Sequence, residues 1–297
     1  MAYRIVVCAK QVPDTKNITG QAMKEDGTVN RAALPAIFNP EDLNALEFGL
    51  SLRDQYGGTV TVVTMGPPGA AEILRESLAR GADRVALLTD RRFAAADTLA
   101  TSATLAAGIE TLGGAEIVIC GRQAIDGDTA QIGPQLAGRL GIPQVTYVEA
   151  LDALVGSEIQ VRRNLEHGHE VVKARLPVLL TIVGTANTPR PRSAKRLLRY
   201  RRARSRTELL QQMGTKPDDP AYLAKAAELE ARGLLIPELT ADSIRIDLAM
   251  CGAAGSPTKV KKIESVVLTS REQKRVEPTQ EGVRALIREL IAEHTLD

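Results

Sequence analysis

Tryptophan is absent from this chain, and its 297 residues include only three phenylalanines and five tyrosines. A protein that stacks nucleic-acid bases on aromatic side chains needs more such platforms. Cysteine is scarce as well: Cys8, Cys120 and Cys251 lie far apart, without a Cys-x-x-Cys pair and without a histidine at ligand spacing. This argues against a disulfide scaffold, offers no metal site and fits a reducing cytoplasm. Cys8 and Cys120 sit in apolar runs and read as buried thiols. His167, His169 and His294 read as surface residues. Charge of one sign is missing too, because a net charge of +2 leaves no global field to draw nucleic acid. No apolar run is long enough to span a bilayer, and Met1-Ala2-Tyr3-Arg4 enters a strand without a signal-peptide pattern, so a cytoplasmic chain with no direct membrane insertion is expected.

What the chain does have is alternation. Strand patterns at Ile5–Ala9, Thr59–Met65, Arg84–Leu88, Glu116–Cys120 and Gln144–Val148 are separated by helical spacing over Pro40–Gln55, Ala70–Arg80 and Asp97–Leu112. Asn39-Pro40-Glu41-Asp42 is a strong helix start, and Gly81 a helix stop. The order implies an α/β fold, a doubly wound, mostly parallel sheet with helices on both faces. Ligands of such sheets sit beyond the carboxyl ends of the strands. After Glu149 the texture changes. A hairpin is expected around Glu166-His167-Gly168, then a strand at Val178–Val183. An arginine-rich segment from Thr188 to Arg206 should be extended and exposed, since Pro189 and Pro191 stiffen its start. A surface helix is expected over Asp219–Arg232, a strand or extended arm over Val260–Leu268 and a terminal helix from Thr279 to Glu293. The nucleotide-binding domain is therefore set at residues 1–185, with a partner-recognition loop and C-terminal arm at 186–297.

The most particular segment is Gly121-Arg122-Gln123-Ala124-Ile125-Asp126-Gly127-Asp128-Thr129-Ala130-Gln131-Ile132-Gly133-Pro134. It joins an apolar strand to the helix Gln135–Leu140. A glycine-studded turn of this kind points backbone N–H groups and a helix N-terminus at a phosphate or diphosphate. A second reading stands beside it: Asp128-Thr129-Ala130-Gln131 has the form of a helix capping box, which binds nothing. Asp126 and Asp128 count against phosphate unless they bond ribose hydroxyls, cap amides or hold a cation.

This loop resembles that of the small (beta) subunit of electron-transfer flavoproteins. So do Val7-Cys8-Ala9-Lys10-Gln11-Val12-Pro13-Asp14, Asn39-Pro40-Glu41-Asp42, Leu74-Arg75-Glu76-Ser77-Leu78-Ala79-Arg80-Gly81-Ala82-Asp83-Arg84, Asn187-Thr188-Pro189-Arg190 and Gly255-Ser256-Pro257-Thr258. These motifs run in order over nearly the whole chain. The resemblance implies an adenine nucleotide alpha hydrolase-like domain, a C-terminal arm packed on an alpha subunit that carries one FAD, and a nucleotide pocket in this chain. Carried over to this pocket are Cys8, Ala9, Asn39, Asp42, Met65 and the whole run Gly121–Pro134. No catalytic side chain is implied. Lys10 could approach a phosphate, although a strand-end lysine is more often merely solvated.

Simple carriers of the family hold a structural AMP in that pocket; members that oxidise NADH and split its electrons hold a second FAD. Gly127-Asp128-Thr129-Ala130-Gln131-Ile132-Gly133-Pro134 resembles the bifurcating, nitrogen-fixation-associated branch. Glycine at 127 clears a path for a diphosphate and Thr129 offers a hydroxyl. FAD is thus the expected cofactor, with AMP the alternative and NADH the electron donor. Expected acceptors are ferredoxin or flavodoxin on one side and an acyl-CoA dehydrogenase-like or quinone-reducing partner on the other. The sequence departs from the family after Arg190, where an apolar anchor is usual: Pro191-Arg192-Ser193-Ala194 stands there, leaving Leu197 or Leu198 as substitutes. Segment 205–237 is longer than in simple carriers, which hints at additional subunits. A non-redox ATP hydrolase or ligase reading is disfavoured, since Ala9-Lys10-Gln11-Val12-Pro13-Asp14 is not a Ser/Gly-rich phosphate loop.

Overall fold

A computed structural model describes residues 2–14, 34–259 and 275–292. The expected arm at Val260–Leu268, His294 and the end of the terminal helix lie outside the described residues. The chain builds β1 (Tyr3–Cys8), a small antiparallel ribbon of β2 (Gln11–Pro13) with β3 (Ala36–Phe38), α1 (Pro40–Tyr56), β4 (Gly58–Met65), α2 (Ala71–Arg80) and β5 (Arg84–Leu88). It continues with α3 (Thr98–Thr111), β6 (Ile117–Gly121), α4 (Ile132–Leu140), β7 (Gln144–Val155), β8 (Glu158–Leu165), β9 (Gly168–Arg175) and β10 (Val178–Ile182). The C-terminal part holds α5 (Ala194–Tyr200), β11 (Arg204–Ser205), α6 (Arg206–Met213), α7 (Pro220–Ala231), β12 (Leu235–Ile236), β13 (Glu238–Leu239) and α8 (Gln280–Ala292).

Nine strands form one sheet in the order β13-β5-β4-β1-β6-β10-β7-β8-β9. Neighbours from β13 to β7 are parallel, and β7-β8-β9 close the far side as an antiparallel meander. The central strands are continuous apolar runs because both faces are covered; Ile117, Val118, Ile119 and Val178 to Leu180 are almost fully buried. Ile5, Val7, Ile117 and Ile119 face the layer of α1 and α2, whereas Val6, Cys8, Val118 and Cys120 face that of α3 and α4. From β1 the chain winds through α1 and α2 to one side, then crosses through α3 to β6 on the other. The strand order therefore reverses between β1 and β6, and their carboxyl ends open a crevice there.

The expected extended arginine segment is a correction. Residues 194–200 form α5, which packs on α2. Arg196 donates from Nε to the Leu78 carbonyl and from Nη2 to the Ala82 carbonyl, both at 2.6 Å. Arg190 is bound to Glu47 and Asp54 of α1. Past Pro191 the residues Ala-Lys-Arg-Leu-Leu-Arg are good helix formers, and Arg196 adds a second donor to the Leu78 carbonyl, which already accepts the Gly81 N–H at the end of α2. Thr279 caps the last helix as expected, its Oγ1 accepting the Gly282 N–H at 3.1 Å. Among the described residues no helix is long and apolar enough to cross a membrane.

Candidate functional site

The carboxyl ends of β1, β4 and β6 bring Cys8, Ala9, Met65 and Gly121 to one edge, and the first turn of α1 rises beside them. Gly121 starts the long loop, of which Arg122 to Asp126 are half-buried, Gly127 to Thr129 exposed, and Gly133, in the first turn of α4, buried. The expected residues thus share one rim.

The first turn of α1 holds that loop with side chains. Asn39 does not cap its own helix; its Nδ2 donates to the Gln123 carbonyl at 2.8 Å and its Oδ1 accepts the Ile125 N–H at 3.1 Å. Glu41 accepts the Gln123 N–H at 2.9 Å and pairs with the Arg122 guanidinium at 3.0 Å. Asp42 accepts the N–H of Lys10 at 2.8 Å and of Gly121 at 3.1 Å. Burial pushes the Asp42 carboxyl up to about 7, against the opposite pull of those two N–H donors and of Asn39. Gly121 is required: a β-carbon there would lie 2.4 Å from Asp42 Oδ1 and 2.8 Å from the Glu41 carbonyl carbon.

Both loop carboxylates are engaged. Asp126 pairs with the Lys10 ammonium at 2.7 Å, so this lysine is neither free nor merely solvated. Asp128 accepts from Gln123 Nε2 at 3.0 Å. No capping box forms at Asp128. Its φ is +47° and that of Ala130 is +53°, so the chain curls left-handed twice and the helix starts only after Gln131, which makes no side-chain cap. Among the described residues the N–H groups of Thr129, Ala130, Gln131 and Ile132 take no partner within the chain. Space above Gly127 is open, with no atom within 4 Å of a β-carbon built there. By contrast α3, which reaches the same rim, is capped: Asp97 accepts the Ala100 N–H at 3.0 Å. Left-handed backbone, free N–H groups and an uncapped helix start make an anion cradle at α4.

Further residues join the rim. Thr98 bonds Gln131 at 2.8 Å, joining the starts of α3 and α4. Ser256 Oγ accepts the Asp97 N–H at 2.8 Å, bringing the Ser256-Pro257-Thr258 turn to the same edge. Tyr147 lies in a β-bulge level with Ile182, its φ at +58°, its N–H bonded to Thr181 Oγ1 and its ring 5.9 Å from the Arg122 guanidinium. Of the five non-glycine residues with positive φ among those described, Ala95, Asp128, Ala130 and Arg245 lie in connections at this carboxyl edge and Tyr147 in the β7 bulge beside it. Local strain of that kind gathers at functional sites. Cys8 and Cys120 pack below the rim; hydrogen bonding to Cys8 and burial hold the Cys120 thiol well above its usual range, so it stays protonated.

Comparison with known proteins decides the family. Residues 26–202 match the electron transfer flavoprotein domain. The chain belongs to the electron transfer flavoprotein family. Within it, the electron transfer flavoprotein subunit beta of Clostridium acetobutylicum is 43% identical over 290 residues, 98% of each chain. The FixA protein of Azorhizobium caulinodans is 43% identical over 265 residues, 87% of this chain and 83% of its own. CarD, a subunit of the caffeyl-CoA reductase-Etf complex of Acetobacterium woodii, is 53% identical over 188 residues, 63% of this chain and 71% of its own. The resemblance read from the motifs is thus met along the whole length, and this electron transfer flavoprotein chain is of the beta-subunit kind.

Proposed function

We propose that the chain pairs with an alpha subunit and binds a second FAD in the crevice between β1 and β6, with NADH as electron donor. The observation that carries this reading is the α4 cradle, where two left-handed residues lead into a helix start whose N–H groups take no partner among the described residues, while Asn39 and Glu41 hold the loop before it. FAD held there would supply hydride acceptance from NADH and single-electron release, the acceptors in this reading being ferredoxin or flavodoxin and, through the alpha-subunit FAD, an acyl-CoA dehydrogenase-like or quinone-reducing partner.

The chain's own residues bind and orient. The N–H groups of Thr129, Ala130 and Gln131, with the Thr129 hydroxyl, receive the diphosphate, and Gly127 leaves its path clear. Lys10 neutralises Asp126, removing a charge that would repel it. Asn39, Glu41 and Asp42 keep the loop in place before the nucleotide arrives, so less ordering cost falls on binding. CarD's membership of a reductase complex supports an assembly larger than a heterodimer. Flavin and AMP content of the purified alpha–beta complex tests the reading. Two FAD per complex, with reduction by NADH under anaerobic conditions, are expected; one FAD and one AMP would leave a simple electron carrier in its place.

A further inference from the structure

One buried side chain joins the two lips of the crevice without opening onto it, and its role rests on the nucleotide reading just given. Strands β1 and β6 pair only as far as Val7 and Ile119; beyond that point they part. The N–H of Lys10 on one lip and of Gly121 on the other then lack strand partners, in a rim too buried to leave such donors unsatisfied. Asp42 takes both, one oxygen for each, at 2.8 and 3.1 Å. It is 7% exposed. Neighbouring Asn39 and Glu41 bond the loop through their side chains but make no side-chain bond to Lys10.

We propose that Asp42 is a positioning residue of the nucleotide crevice: by holding Lys10 and Gly121 it fixes the separation of the two lips and so sets nucleotide affinity without touching the nucleotide. The chemistry asks for a carboxylate, since two facing N–H donors need two acceptor oxygens. An asparagine offers one and turns an NH₂ against the other donor. The missing β-carbon at 121 belongs to the same joint, because it leaves the seat in which Asp42 Oδ1 rests.

The test titrates the full-length chain with FAD and, separately, with AMP, comparing wild type with Asp42→Asn and Asp42→Ala at a temperature where circular dichroism shows each variant folded. Asp42→Asn is expected to weaken both nucleotides by about tenfold and Asp42→Ala by more, as befits the loss of one or both bonds to the Lys10 and Gly121 N–H groups. Ile159→Val, a core change beneath the β7-β8-β9 meander, serves as control: it lowers the melting temperature and leaves affinity unchanged. Wild-type affinity in folded Asp42→Asn would overturn the inference alone. A wild-type chain that binds neither nucleotide would overturn the functional reading and the inference with it. Should Asp42→Asn fail to fold, amide hydrogen exchange of the wild type decides. Added nucleotide is expected to slow the Lys10 and Gly121 amides together, and unchanged rates would overturn the joint.

Discussion

The two edges of the sheet make tight turns with different residues. At the amino edge, where α1, α2, α3 and α4 return to β4, β5, β6 and β7, positive φ falls on glycines, Gly81 at +127° and Gly141 at +64° among them. At the carboxyl edge it falls mostly on alanine, aspartate, tyrosine and arginine, with Gly252 at +54° packed against the Arg92 and Ala94 carbonyls as the glycine among them. A left-handed residue with a side chain costs on the order of 1 kcal/mol that glycine avoids. The chain spares itself that cost where it only has to turn, and accepts it where side chains and free N–H groups must be aimed. The amino edge also has a cavity, of about 570 Å³, lined by Tyr3, Arg4, Glu116 and Pro177, but its polar groups answer one another: Arg4 pairs with Glu116 at 2.6 Å. Space alone does not mark the working edge.

Substitution can break this contrast, and the largest effect is expected at Gly121→Ala. The new β-carbon collides with Asp42 and with backbone, which should destabilise the fold by roughly 3 kcal/mol and abolish nucleotide binding, read by urea unfolding and by nucleotide titration. Next comes pH. An aspartate ordinarily titrates near 4, so with Asp42 at about 7 the folded chain keeps a proton that the unfolded chain gives up. Stability should therefore fall as pH rises from about 4 through 7, by at most roughly 1.4 kcal/mol per pH unit from this group. Asp42→Asn should flatten that slope; a slope identical to wild type would show that the carboxyl is not its source. Tyr147→Gly sharpens the comparison by changing sign, because relief of the strained backbone should raise stability by about 0.5–1 kcal/mol despite a lost side chain. Gly81→Ala on the other edge should lower it by about as much. At the bottom of the scale, Arg4→Ala breaks an exposed pair and should leave both nucleotide affinity and melting temperature within error.

Much of the fold could be read from residues in order. The apolar runs at Ile5, Thr59, Arg84 and Glu116 became parallel strands because nothing but a covered sheet buries such runs, and the hairpin turned at Glu166-His167 as its spacing required. The rim residues were legible as a set because they follow strand ends. Their individual roles were not. Asn39 and Glu41 looked like parts of a helix start, yet their side chains serve a loop more than eighty residues away, a pairing that local pattern cannot contain. The Asp128 capping box failed because two left-handed residues delay the helix, and Gly133 fixes that delay by packing where a β-carbon would meet Thr181 at 2.5 Å. Tyr147 had no signal at all, since a bulge in β7 arises from its register against β10. The segment of Arg190 and Arg196 was expected to be extended and exposed, because their partners Glu47, Asp54 and two carbonyls at the end of α2 are far away in sequence.

The place of β10 has a consequence for how the chain is made. It lies between β6 and β7, yet it is synthesised after both and after the whole meander. A nascent chain that has emerged only as far as residue 175 therefore exposes two unzipped edges, of β6 and of β7, with a gap one strand wide between them. Such edges invite foreign strands. Until Val178–Ile182 slot home, the half-built subunit is a client for chaperones, and a ribosome stalled in that window should yield aggregate where one stalled past residue 260 yields a folded domain.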